Sequence, residues 1–359
     1  MKEILSEILK LAINAPSGHN AQPWRFVIKE ESLFIYDIPD KDKILFNYKQ
    51  RGSMIAHGAL IENIFIIASK KGFRTNLELF PNNQEPNLIA KIDFKKDDHK
   101  YEYENLYPFI LKRTTNRRPF KKITLKEIDK TALENFSKSI PNKEFEFVFF
   151  ADKEVIKEVA GPFSAGDKVL FDNAFVHRDL FTNINWTIEE EKERKEGLYV
   201  GTKELSFLDK IILKYVFSNW KLIKKLNGKI GLLTKIAEKR ESLYRKCSAI
   251  GLIVSEGNSS TDFVKSGRIL QRLWLTATSL GLSFQPVSVG LMYLGQNIEK
   301  ENPKELTTDQ VEYVKKAYEK IKSVFHIEDK TPTFSFRLGY AGDPTASSLK
   351  KSPEIIYKD

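Results

Sequence analysis

Arg113, Thr115 and Arg117 lie in a compact run, Lys112-Arg113-Thr114-Thr115-Asn116-Arg117-Arg118, followed by Pro119-Phe120. Four cations and two hydroxyls so close together suit a phosphate, because guanidinium forks bind it through paired, charge-assisted hydrogen bonds. A solvated interdomain linker would have the same composition. A second segment, Ala15-Pro16-Ser17-Gly18-His19-Asn20-Ala21-Gln22-Pro23-Trp24-Arg25-Phe26, is dense in small polar groups between a helix and a strand. Ser17, Asn20 and the local amides could present donors and acceptors to a flat heterocycle with an amide-like edge. The plainer reading is a turn in which Pro23 and Trp24 pack the strand entrance.

Nothing else offers self-sufficient chemistry. The sequence has no GxGxxG after a strand, no Walker loop, no HExxH and no GxSxG. His19, His57, His99, His177 and His326 show no metal-ligand spacing, so no metal site is expected. Cys247 is the sole cysteine, which excludes an internal disulfide, thiolate metal clusters and dithiol redox chemistry. Without a convincing side-chain acid, base or nucleophile, an enzyme of this sequence would lean on a bound cofactor.

The elements that must position these segments alternate between the two periodicities. Ile4, Leu5, Ile8, Leu9, Leu11 and Ala12 recur at helical spacing, and the pattern stops at Pro16. Residues 24–28 and 33–36 read as short strands, then an apolar helix runs through Ile55, Ala59, Ile64 and Ala68 to Gly72. Residues 88–94, 145–150 and 334–340 read as strands. Thr124-x-x-Glu127 and Thr307-x-x-Gln310 have the form of capping boxes that open helices. The expected class is α+β.

Two stretches repeat. Gly58 to Phe73 matches Gly267 to Leu282 at an offset of 209 residues, with both glycines and a central alanine (Ala68, Ala277) coinciding. Phe26-Val27-Ile28 matches Phe147-Val148-Phe149 at an offset of 121. The 88-residue difference between the offsets predicts a duplicated α+β unit whose second copy carries an insertion at about 151–245. Ile212, Tyr215, Val216, Trp220 and Ile223 form one helical stripe there. The stripe reads as a face buried against its own protein, as a lid over a ligand site, or as a membrane-surface helix.

The chain has 359 residues and a net charge of +10. Residues 203–246 hold twelve Lys/Arg against Glu204, Asp209, Glu238 and Glu241. A solvated face is the plain account; an anionic ligand, nucleic acid or an anionic membrane surface are the sharper ones. No zinc-finger, RRM or KH pattern supports specific nucleic-acid binding. No apolar run is read as a membrane span, and the amphipathic start without a signal-peptide pattern leads to the expectation of a cytoplasmic protein.

Ala-Pro-Ser-x-x-Asn-x-Gln-Pro-Trp followed by Arg-Phe resembles the signature turn of the nitroreductase-like FMN flavoprotein superfamily. Arg113 to Phe120 resembles that family's phosphate-gripping segment, Gly267 to Pro286 its central helix and following turn, and Phe336 to Ala341 its late strand. Lys350-Lys351 falls near its usual basic pair. In ordinary members the arginine segment precedes the Pro-Ser turn in one short chain, and two chains complete each other's sites. Here the first copy lacks the arginine segment, and the second has Ser137 to Phe145 where a Pro-Ser turn should fall. That order resembles the fused, pseudo-dimeric Acg-type branch.

The resemblance implies a nitroreductase-like fold duplicated within one chain, with halves 1–111 and 112–359 and a helical, lid-like insertion. It implies one FMN. Arg113, Thr115 and Arg117, with Lys350 or Lys351, would hold the phosphate. Pro16, Ser17, Gly18 and Asn20 would meet the flavin edge. Pro286, Val287 and Ser288 would lie near its reactive face, and Asn183 or Asn185 near its pyrimidine. NAD(P)H would be the reductant and a nitroaromatic or quinone-like molecule the acceptor, with the flavin carrying the chemistry. The alternatives are a non-catalytic FMN-sequestering protein and a basic scaffold or nucleic-acid-binding protein. Further homo-oligomerisation of the pseudo-dimer is left open.

Overall fold

The computed structural model describes residues 1–97, 100–140, 144–301 and 303–358. His99, and the part of the Ser137–Phe145 segment at 141–143, lie outside the described residues. The first unit runs α1 (Lys2–Ala12), β1 (Trp24–Lys29), β2 (Ser32–Asp37), α2 (Arg51–Lys70), β3 (Phe73–Leu79) and β4 (Leu88–Lys96). The second begins with α3 (Glu127–Ser139) and β5 (Phe145–Phe150). A long excursion then holds α4 (Lys153–Asp172), α5 (Ala174–Thr182), β6 (Ile184–Asn185), α6 (Ile188–Arg194), β7 (Leu198–Tyr199), α7 (Phe207–Ile212), α8 (Trp220–Ile230) and α9 (Leu232–Tyr244). The unit resumes with β8 (Ala249–Ser255), α10 (Ser260–Ser279) and β9 (Ser283–Pro286), passes through α11 (Val289–Ile298) and α12 (Thr308–Phe325), and ends with β10 (Thr331–Gly339). The last element, β11, is Ile355–Lys358.

Both sheets share one topology. The first is ordered β1-β2-β4-β3 with β11 added beside β1, and the second is β5-β8-β10-β9. Replacing β1, β2, α2, β3 and β4 by β5, β8, α10, β9 and β10 converts one unit into the other, so the fold is α+β and internally duplicated. The added strand is parallel to β1, with Phe26 opposite Ile355. Sequence periodicity missed this strand, along with β3, β8 and α11, whereas α12, the helix opened by Thr307, was expected. The 88-residue excess is a net difference: the excursion between β5 and β8 adds chain, while the link from β8 to α10 is shorter than that from β2 to α2.

The repeated glycines meet where α2 crosses α10. A Cβ on Gly58 would lie 2.0 Å from the Val264 carbonyl oxygen, and one on Gly267 would lie 2.1 Å from that of Ile55. Only hydrogen fits at that crossing. Beside it, Glu62 is buried and paired with Arg268 and Arg272, each at 2.8 Å, and it accepts a hydrogen bond from the Tyr101 hydroxyl. Burial pushes the Glu62 carboxyl up, but the two guanidiniums outweigh it and hold it below its usual value.

Three expectations need correction. The stretch Tyr48–Lys70 is in fact long and apolar enough to cross a membrane by composition, yet its side chains are almost all buried inside the protein. A helix packed on every side has no polar face to interrupt its hydropathy. The 212–223 stripe is broken as well. A π-helical turn, Leu213–Phe217, follows α7, and Asn219 caps a new helix by accepting from the Leu222 amide. Ile223 is buried, whereas Ile212 and Tyr215 are exposed.

At Thr307 the capping box forms as expected. At Thr124 it does not. Lys126 occupies the cap, and its amide donates to the Tyr340 hydroxyl at 2.9 Å.

Candidate functional site

The Pro-Ser turn is locked by its own side chains. The Gln22 amide donates to Ser17 Oγ at 3.0 Å, while His19, Asn20 and Gln22 adopt left-handed backbone conformations. Three such residues in four cost conformational energy, which their surroundings offset. The Gln22 amide group donates to the Lys195 carbonyl at 2.7 Å and to the Asn20 carbonyl at 3.1 Å, and accepts from the Lys351 amide at 3.0 Å. The turn is thus clamped between the excursion and the C-terminal tail.

The arginine segment is pinned by buried Asn116. Its amide donates to the Phe284 carbonyl at 2.9 Å, and its Nδ2 donates to Ser283 Oγ and the Gly342 carbonyl, each at 2.9 Å. That anchoring sends Arg113 and Arg117 toward the turn. Arg113 donates to the Asn14 carbonyl at 2.9 Å and lies 4.5 Å over the Trp274 ring, leaving its buried Nε without a partner. Arg117 donates to the Thr202 carbonyl at 3.2 Å.

Two cavities share this ground. One, of about 170 Å³, is lined by Asn20, Arg113, Arg117, Thr202, Ser348 and Lys350, among others. The other, of about 260 Å³, is a mainly apolar slot walled by Phe46, Ile55, Trp274, Pro286, Tyr293 and Phe334, among others. Pro16, Ser17, His19, Thr115 and Arg117 line both, so the two form one site with a cationic end and an apolar end.

Among the described residues none of Arg113, Arg117, Lys203 and Lys350 forms an ion pair with a carboxylate, although Glu204 and Glu191 favour the charges of Arg117 and Lys350 from farther away. Burial, with Arg113 nearby, drops the Lys350 ammonium to about 7. Burial does the same to Lys203, aided by Arg117 and Arg240 and opposed by Asp167. Arg113 falls to about 10 through burial alone, and Arg117 to about 10 through burial and Arg240. His19 falls to about 4 through burial and the charges of Lys203 and Arg117. Burial leads each of these shifts, and neighbouring cations add to those of Lys350, Lys203, Arg117 and His19; an anion would offset both effects. The unpartnered Arg113 Nε is a donor already waiting for it. The residues therefore fit a phosphate-bearing ligand whose flat, apolar part enters the slot.

Of the expected site residues, Pro16, Ser17, Gly18, Asn20, Arg113, Thr115, Arg117, Pro286 and Lys350 come together on these walls. Asn20 sits at the cationic end, where its Oδ1 accepts from Lys350 Nζ at 2.8 Å. Val287, Ser288 and Lys351 do not line either cavity. The Val287 amide donates to the Ser335 carbonyl at 3.1 Å, the Ser288 hydroxyl donates to the Phe163 carbonyl, and the Lys351 ammonium pairs with Glu196 at 2.5 Å. Asn183 and Asn185 serve the excursion itself, Asn185 donating to Glu191 at 2.6 Å.

Sequence reading missed Asp42. Its carboxyl, on the slot wall, is raised to about 7 by burial and by Asp37. Gly18 allows the close approach, since a Cβ there would meet Asp42 Oδ2 at 2.9 Å. Nothing in the irregular run between β2 and α2 signals this role. Thr202 and Leu198 bring part of the excursion to the cationic end, whereas α7 and α8 line neither cavity.

No family model matches the chain. It is 32% identical over 121 residues to "Putative NAD(P)H nitroreductase acg" of Mycobacterium tuberculosis, across 33% of this chain and 36% of that one. An uncharacterised protein of the same species, MT1398, is 24% identical over 289 residues, 80% of this chain and 39% of its own. The matches thus span under two-fifths of each relative's length. The solved structure of the FMN-dependent nitroreductase NfnB from Mycobacterium smegmatis, in complex with NADPH, is similar at 12% identity and a TM-score of 0.34, over 67% of this chain and 89% of that one. The name of the first relative bears out the resemblance read from the motifs.

Proposed function

We propose that this chain is an FMN-dependent oxidoreductase of nitroreductase type, reduced by NAD(P)H and passing hydride to a small nitroaromatic or quinone-like acceptor. The single observation that carries the reading is the continuous site, cationic and short of anions at one end, flat and apolar at the other. FMN, when bound, supplies the hydride chemistry. Arg113, Arg117, Thr115 and Lys350 bind its phosphate; Pro16, Ser17, Gly18 and Pro286 border the slot. Trp274 holds Arg113 from behind, and Asp42, its carboxyl raised to about 7 by burial and Asp37, stands at the slot wall. The halves 1–111 and 112–359 each give one part of the site, so we infer one FMN per chain and a cytoplasmic setting like that of its cofactors.

Cavity size supports a second reading, FMN sequestration. Together the two cavities only just exceed the lower end of the ~300 to 1,000 Å³ of ordinary ligand pockets, leaving little room for a second flat molecule. Reconstitution with FMN, a flavin absorbance spectrum and anaerobic addition of NADPH or NADH separate the readings. One flavin per chain, bleached by nicotinamide and reoxidised by acceptor, is expected. One flavin that neither nucleotide bleaches supports sequestration. No flavin sinks both readings, and two per chain overturn the single composite site.

A further inference from the structure

The outer face of α7 and its π-helical turn is unlike the rest of the surface. Phe207 is 77% exposed, Leu208 69%, Tyr215 67%, Ile212 42% and Ile211 40%. At about 100° per residue these five side chains fall within an arc of about 140°, on one side of the helix. The opposite side is fastened down: Leu213 and Phe217 pack into separate small apolar clusters, and His177 Nε2 lies 2.7 Å from the Phe217 carbonyl oxygen. The apolar face is therefore held outward by the fold. Single exposed apolar residues need no explanation, but five contiguous ones do.

Charge selects the occupant. Lys210 and Lys214 border one edge of the apolar arc, and Lys221 and Lys225 follow one turn apart on α8. Among the described residues, none of these four forms an ion pair with a carboxylate. The surrounding residues 203–246 hold twelve cations against four acids. A second copy of the same face would bring like charge against like charge. A surface of anionic lipid headgroups over an acyl layer satisfies both features, since the aromatic and aliphatic side chains enter the interface while the lysines stay at headgroup level.

We propose that α7 with the turn after it is a membrane-surface docking element that seats this protein on anionic bilayers. The inference stands on this face alone and does not depend on the flavin reading. The test is co-flotation of the full chain with vesicles of phosphatidylglycerol and phosphatidylcholine, against vesicles of phosphatidylcholine alone. Binding to the anionic vesicles is expected, falling several-fold between about 0.05 M and about 0.5 M salt as screening shortens the reach of the lysines. The variant F207S/L208S/Y215S should partition at least about tenfold more weakly. K210Q/K214Q/K221Q should lose the preference for anionic over neutral vesicles. All six side chains are surface groups, so circular dichroism and the thermal midpoint should match the parent. Absent flotation, equal binding to neutral vesicles, or undiminished binding of the apolar variant overturns the proposal. So does lipid-free self-association that the apolar variant abolishes, which would make this face a contact between copies.

Discussion

Among the described residues, Arg113 and Arg117 form no ion pair with a carboxylate, Glu204 acting on Arg117 only from farther away, and that makes their contribution measurable. Replacing either by Ala should weaken FMN binding by about 1.5 to 3 kcal/mol, the usual value of a charge-assisted hydrogen bond. Riboflavin, which lacks the phosphate, should bind each variant as it binds the parent. Equal losses for both flavins would mean the arginines act through folding. Lys350 adds a pH dependence whose sign follows from its lowered value. With no ligand, its ammonium loses its proton near 7, so phosphate affinity should be full below that pH and decline above it. A phosphate monoester is a dianion only above about pH 6, so FMN affinity should peak between about 6 and 7. Fluorescence titration from about pH 5 to about pH 8, about one unit beyond each limit, should give that shape, and Lys350→Met should shrink the alkaline limb. The stability of the ligand-free chain runs the other way. Its unfolded state binds the Lys350 proton up to the ordinary lysine value of 10.5, so folding gains stability as pH rises from about 7 toward that value.

The crossing of α2 and α10 is the element on which both sheets hang. Gly58→Ala forces a methyl against the Val264 carbonyl and Gly267→Ala forces one against the Ile55 carbonyl, backbone atoms with no rotamer to move. Each should destabilise the protein by about 2 to 3 kcal/mol in urea unfolding. The double variant should lose less than the sum, because the first methyl already parts the helices for the second. Additive losses would show that the glycines relax independently. The same steric demand explains what was readable in the sequence. A pseudo-symmetric crossing requires Gly at matching positions, so the repeat at an offset of 209 survives in the residues themselves. The Pro-Ser turn and the arginine run were readable because local backbone geometry and charge fix their composition. Asp42 was not, since its role arises only when the irregular run after β2 folds against Gly18. The 212–223 stripe misled because apolar spacing continues through Asn219, where a cap restarts the helix. Val287 and Ser288 failed to line the slot because β10 and α4 had already taken their polar groups.

At the scale of the whole molecule, the C-terminal tail closes the circuit between the two units. After β10 it returns to the first unit, where Lys350 donates to the Ala15 carbonyl at 2.9 Å and the Leu349 carbonyl accepts from Asn20 at 2.9 Å. The Leu349 amide donates to Glu191 at 2.6 Å, and β11 then pairs with β1. One segment therefore supplies a phosphate-binding cation, braces the Pro-Ser turn and covers a sheet edge that would otherwise expose a row of free backbone groups. These duties separate by mutation. Lys350→Ala should lower the unfolding free energy in urea by only about 1 kcal/mol, the value of its bonds to Ala15 and Asn20, while weakening FMN binding by about 1.5 kcal/mol or more. Ending the chain after Ala346 should lower both, because the edge pairing and the brace are lost together. It should also make the 17–22 turn exchange its amide hydrogens faster, since left-handed residues relax once their restraints go. If the truncated chain kept its flavin affinity and slow exchange at Asn20 and Gln22, the tail would be an ornament on the first sheet. If Lys350→Ala fell as far in stability as the truncation, the lysine would be a structural pin rather than a ligand-binding charge.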